Sequence, residues 1–153
     1  MNPYELDHNS GGPRATIVGK IEENSPGPGP FLMAADTLEG NPVIGPGGDK
    51  LGKVDHIMLD VPGGRIAYAV LSFGGFLGMG GKLFAVPWSA LTLDVQRKSF
   101  VLGIEKEVLE AAPGFDKDHW PSMADEQWAT SIHEYYGQPP YWEHDRYQRE
   151  TRL

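Results

Sequence analysis

The sequence predicts a mainly β protein: a small antiparallel barrel or sandwich followed by a C-terminal helical extension rich in aromatic residues. Three observations carry this. From Phe31 to Leu102, apolar runs of strand length alternate with Gly/Pro punctuation. Twenty glycines and thirteen prolines in 153 residues mark a chain full of turns. Past residue 113 the spacing of large residues becomes helical and the aromatic content rises.

Taken in order, residues 1–30 are poor in apolar content and end in "NSPGPGP", which denies the backbone both helix and ladder hydrogen bonds; a tail is expected there. Residues 31–112 form the β domain, with strands expected in "NPVIG", "KLGKVDHIMLDV", "RIAYAVLSF", "KLFAVPW" and "SFVLGI". In "DVPGGR", Pro62 and Gly63 fit a type II turn, so the flanking strands should pair as a hairpin. The strand after that turn is apolar on both faces, as a central, doubly covered strand must be. The strand before it keeps Asp55, His56 and Asp60, so one of its faces should lie nearer solvent. "EKEVLEAAPG" has acids at its start and Pro-Gly at its end, the order of a short helix. Residues 113–142 form the extension. There Ser122 and Asp125 make a capping-box pattern, Trp128, Ile132 and Tyr135 share a helical face, and Gly137 then Pro139 close the element. Residues 143–153 read as a charged, flexible tail.

Composition excludes whole classes of function. With no cysteine there are no disulfides, thiolate zinc sites or cysteine nucleophiles, which fits a reducing cytoplasm. A formal charge of -8 without a clustered basic stripe argues against nucleic acid as a partner. The longest strongly apolar run, Ile66 to Leu71, is far shorter than the roughly 20 residues that span a bilayer, and "MNPYELDHNSGGPR" lacks the order of a signal peptide. A cytoplasmic protein without a transmembrane segment is expected, with a peripheral membrane-protein partner left open.

The loop "SFGGFLGMGGKLFAVPW" looks at first like a phosphate cradle. A Walker A loop would need glycine at Phe76 and a hydroxyl at Leu83, and a dinucleotide fingerprint would need a third glycine at Leu83 and a following helix. The expectation is therefore a hairpin loop. Phe76, Leu77 and Met79, spaced by Gly75 and Gly78, either fold back over the barrel or offer an apolar contact to a protein partner.

Other candidate chemistry is weak. "HEYYG" begins like a zincin helix but has Gly137 where the second histidine must stand; His133 in a last helical turn fits the helix dipole better. "DKDHWPSMADEQ" has Trp120, Pro121 and Gln127 at positions where a calcium loop needs an oxygen ligand, glycine and glutamate. A looser ion site from Asp116, Asp118 and His119 is the remaining metal alternative, against a solvated turn. His56 is expected as an ordinary strand residue, Asp55 and Asp60 as solvent-face charges. Neither Ser72 nor Ser89 has a nucleophile's pattern. No catalytic residue, cofactor or metal is expected.

The extension concentrates Phe115, Trp120, Trp128, Tyr135, Tyr136, Tyr141 and Trp142, more large apolar surface than one short helix can bury against itself. These aromatics either dock on the chain's own barrel or pack across a subunit interface. In both cases they should cover an edge of a small open barrel.

The succession "GDKLGKV", "YAVLSFGGFLG" and "FAVPWSAL", in order and closely spaced between Gly47 and Leu91, resembles the PRC-barrel family, and "FVLGIEKEVLEAAPGF" continues it to Phe115. The family includes the cytoplasmic barrel of the photosynthetic reaction-centre H subunit and a domain of a ribosome-maturation factor. The resemblance implies a small SH3-like β-barrel, here as a free-standing bacterial member, used as a binding or assembly module without catalytic residues. The leading expectation is thus a protein-binding, homo-oligomeric module. The alternative is a small-ligand- or metal-binding protein, a sensor or an enzyme of unrecognised reaction, with a pocket between barrel and extension near His56 or His119.

Overall fold

Strand-forming runs and turn chemistry account for the centre of the molecule. The computed structural model describes residues 14–19, 31–73 and 81–143. Its strands are β1 (Thr16–Val18), β2 (Pro42–Ile44), β3 (Lys50–Asp60), β4 (Arg65–Ser72), β5 (Lys82–Pro87), β6 (Leu91–Asp94), β7 (Ser99–Leu102) and β8 (Phe115–Asp116). The helices are α1 (Ala35–Leu38), α2 (Lys106–Glu110) and α3 (Glu126–Tyr135), with a one-turn 3-10 helix at Trp88–Ala90.

The strands form one eight-stranded sheet in the order β1-β6-β7-β2-β3-β4-β5-β8. Two features differ from the expected antiparallel barrel. The ladder does not close: among the described residues β1 and β8 are its two ends. It is also mixed, since β2 pairs in parallel with β7 and β1 in parallel with β6. The chain's corners explain this. From β2 to β5 each strand reverses on its neighbour. The 3-10 turn between β5 and β6 does not fold the chain back beside β5, and β6 continues in the same sense. The β6–β7 hairpin then brings β7 back running with β2. The core is continuous and includes Val43, Leu51, Val54, Leu71, Phe84, Leu91, Phe100 and Leu102.

Several local expectations are corrected. Thr16–Val18 lies within the stretch expected to be a tail, yet this β-branched run pairs with β6, and Ile17 packs against the core. In the β3–β4 turn the positive φ falls on Gly64, not Gly63. The turn is closed by Gly64 N–H donating to the Asp60 carbonyl at 2.9 Å. Asp60 is no idle surface charge: its carboxylate accepts from Gly63 N–H at 3.3 Å and from Arg65 Nε at 2.8 Å. α3 starts one turn later than a Ser122 cap would place it, because Asp125 is the N-cap and its side chain accepts from Gln127 N–H at 3.0 Å. Its buried face is Ala129, Ile132 and His133, continued by Tyr136 beyond the helix, whereas Tyr135 is turned outward. The helix ends as expected at Gly137, where Gly137 and Gln138 N–H donate to the carbonyls of Glu134 and His133 in a Schellman arrangement.

Candidate functional site

A bulge in β3 decides which side chains reach the site. Residues opposite one another in an antiparallel ladder share a face. Val54 lies opposite Leu71, but after the irregularity at Asp55, His56 lies opposite Val70, one residue out of step. The bulge therefore sends Val54 to one side of the sheet and His56 to the other. The first face carries Val54, Ala69, Leu71, Phe84 and Val86. The second carries His56, Met58, Tyr68, Val70 and Ala85. Because β4 is buried on both faces, something must cover the second one, and the segment from Phe115 to Trp142 does so.

The cover meets the sheet in two aromatic clusters. In the first, the Trp120 ring stands edge-on to His56 at 5.4 Å and against Phe115 at 4.9 Å, with its indole N–H donating to the Lys117 carbonyl at 3.0 Å. The second is centred on Tyr68. Its ring meets Trp128 at 5.7 Å, His133 at 5.4 Å and Tyr141 at 5.8 Å, and His133 in turn meets Trp142 at 5.4 Å. Arg65, paired with Asp60, lies over the Tyr141 ring at 5.0 Å from its centroid. Tyr135 and Tyr136 meet edge to face, and the Tyr135 hydroxyl donates to the Val108 carbonyl at 2.6 Å, which ties the end of α3 to α2.

The polar atoms of this junction are unusual. Tyr68 is 1% exposed, and among the described residues its hydroxyl has no hydrogen-bond partner; the same holds for the hydroxyls of Tyr136 and Ser72. Burial pushes the phenols of Tyr68, Tyr136 and Tyr141 upward, with nearby tyrosines adding to the first two and Asp60 to the third. His133 is likewise 1% exposed. Its Nδ1 donates to the Ala129 carbonyl at 2.7 Å. Burial lowers its pKa, and the backbone hydrogen bond opposes that shift only in part. The sequence places His133 in the last helical turn, as expected from the helix dipole, and burial there acts against the charged form of its ring.

Of the sequence-expected residues, Trp120, Trp128, Tyr136 and Trp142 all contribute to this junction, while Tyr135 lies at its margin. Gly75, Phe76, Leu77, Gly78 and Met79 lie outside the described residues. Asp116, Asp118 and His119 form a turn in which Asp116 accepts from Asp118 N–H at 3.0 Å. Among the described residues no group of three or more acidic or histidine side chains is arranged to hold a metal ion. Sequence reasoning missed Tyr68, Arg65 and the burial of His133. Of these only Tyr68 left a trace, as a phenol in a strand apolar on both faces.

No helix among the described residues is long and apolar enough to cross a membrane. No curated protein matches the chain. The family model of the PRC-barrel domain matches residues 32–109, the span from just before α1 to the buried Leu109 of α2. That span holds β2 to β7, while β1, β8 and the aromatic cover lie outside it. With more than half of its length matched, the chain belongs to the PRC-barrel domain family.

Proposed function

We propose that the protein is a non-catalytic, cytoplasmic protein-binding and assembly module that associates with itself through the exposed end of its β3–β4 hairpin. One observation carries this. The end of the β3–β4 hairpin is apolar beyond the reach of the cover: Leu59, opposite Ile66 after a second register shift, is 57% exposed, and Val61 at the turn is 77% exposed. These side chains flank the Asp60–Arg65 pair that holds Tyr141. A stiff apolar tip beside half-buried aromatics and a fixed ion pair has the make-up of an interface core with a polar rim. Sedimentation velocity of the wild type and of a Leu59→Ser/Val61→Ser double variant tests it. The wild type should form a discrete oligomer and the variant should be monomeric with an unchanged circular-dichroism spectrum. A wild type monomeric at all concentrations, or an oligomer indifferent to the variant, refutes this surface.

A second reading has its own support. The unpartnered phenols of Tyr68 and Tyr136 are what a small polar ligand between sheet and cover would engage. Native mass spectrometry decides it: a specific adduct lost on denaturation favours the ligand, and a clean mass removes it.

A further inference from the structure

We propose that His133 is the latch of a pH-operated strap: protonation of its ring frees Tyr141 and Trp142 from the sheet and uncovers Tyr68 and Trp128 beside the exposed hairpin end. This rests on the assembly reading above and names the regulation of that surface.

The strap, residues 138–142, is held by His133 in two ways. The His133 carbonyl accepts Gln138 N–H at 2.9 Å, and its ring packs against Tyr141 at 5.7 Å and Trp142 at 5.4 Å. Since a carbonyl only accepts, Nδ1 carries the proton of the neutral ring, and an added proton goes to Nε2. Among the described residues, the side chains packed on that ring carry no counter-charge. β4 contributes Tyr68, and the strap contributes Tyr141 and Trp142. Beyond Tyr141 stands a cation, Arg65, stacked on that ring and paired with Asp60. β5, on which α3 packs, offers only Lys82, whose ammonium lies over Phe84. On α3 itself Glu134 and Glu126 are exposed, as is Glu143 beside Trp142, and burial and the Ala129 hydrogen bond are the influences resolved on the imidazole.

A buried cation without a counter-charge must reach water or expel its proton. The local route is the strap, because Tyr141 and Trp142 are only half-buried and leave the helix through Gly137 at φ +67°, whereas Tyr68 is fixed in the central ladder. Once wetted, the imidazolium sits in the last turn of α3, where the helix dipole favours it. Release is therefore driven from both ends: the cation gains water and the helix gains a cap.

Hydrogen exchange of the full chain at about pH 7.5 and about pH 5, corrected for intrinsic rates, tests the latch against the ordinary titration range of histidine. Protection of the Gln138 and Glu143 amides, which donate to the His133 and Pro140 carbonyls, should fall severalfold at the lower pH while β4 and the far-ultraviolet spectrum stay unchanged. His133→Phe should abolish the difference; His133→Gln serves if that variant does not fold. Trp142→Ala should leave the strap unprotected at both pH values. Equal protection at both pH values in the wild type, or the same fall in the neutral variants, overturns the latch. Sedimentation run in parallel separates the two proposals: a strap that opens without altering association supports the latch and refutes the docking role of the uncovered face.

Discussion

Replacing Tyr68 by phenylalanine is expected to stabilise the protein, and the sign of the effect is informative. The phenol is buried, and among the described residues its hydroxyl has no partner. An unsatisfied buried hydroxyl costs roughly 1–3 kcal/mol relative to water. Phenylalanine keeps the ring contacts to Trp128, His133 and Tyr141. The void left by one oxygen is small, and at about 24 cal/mol per Å³ it returns only a few tenths of a kcal/mol. The net gain should be about 1–2 kcal/mol, read as a rise in the urea midpoint of about 0.5–1 M for an m value near 2 kcal/mol/M. Tryptophan fluorescence follows the transition, and Tyr136→Phe, which removes the other unpartnered phenol, should act in the same direction. A loss of about 1 kcal/mol for Tyr68→Phe would refute the reasoning. It would mean that the hydroxyl is satisfied in solution, and a partner there would support a bound ligand or ordered water between sheet and cover.

Three further outcomes follow from the same structure. Gly52→Ala should destabilise by at least about 2 kcal/mol in the same urea assay, because the residue sits at φ +156° and an added Cβ would fall on the Ser72 carbonyl oxygen of the neighbouring strand. Asp125→Ala should cost about 1 kcal/mol through loss of the α3 cap, with Asp125→Asn or Asp125→Ser restoring most of it. For His133 the folded-state pKa is lowered from 6.5, so the unfolded chain binds the proton first as pH falls. The contribution is fully present above that value and is lost as pH drops toward the folded pKa. Urea midpoints should decline over that interval in the wild type and more weakly in His133→Phe.

Much of the β domain was legible because its rules are local. The Asp60–Arg65 hairpin, the doubly covered β4 and the ending of α3 at Gly137 each follow from a few neighbouring residues. Even so, the turn type was misjudged, since the sequence "PGG" offers two glycines and only the Asp60 contacts select the second for the left-handed conformation. β6 was missed because its alternation, Leu-Thr-Leu-Asp, runs for only four residues between a 3-10 turn and a hairpin, too short a run to register. β1 was hidden by its setting: three β-branched and apolar residues inside a Gly/Pro-rich stretch look like linker until β6 supplies a partner. The candidate site was legible only by its aromatic content. Which aromatics face the sheet depended on a helix starting at Glu126, about one turn after the Ser122 cap that the pattern suggests.

By itself the sequence determined the family, the mainly β class, the central hairpin and the presence of aromatic surface that had to be buried, because these depend on composition, periodicity and turn residues. Only the tertiary structure decided that the sheet is open and mixed, that its end strands β1 and β8 come from outside the family segment, and that a bulge at Asp55 turns His56 toward Trp120. It also decided that His133 is enclosed by residues from β4 and from beyond α3. The physical reason is common to all of these. Parallel pairing, face assignment after a bulge, and desolvation of a titratable ring are set by groups far apart in the chain, and no local pattern encodes which distant partner will arrive.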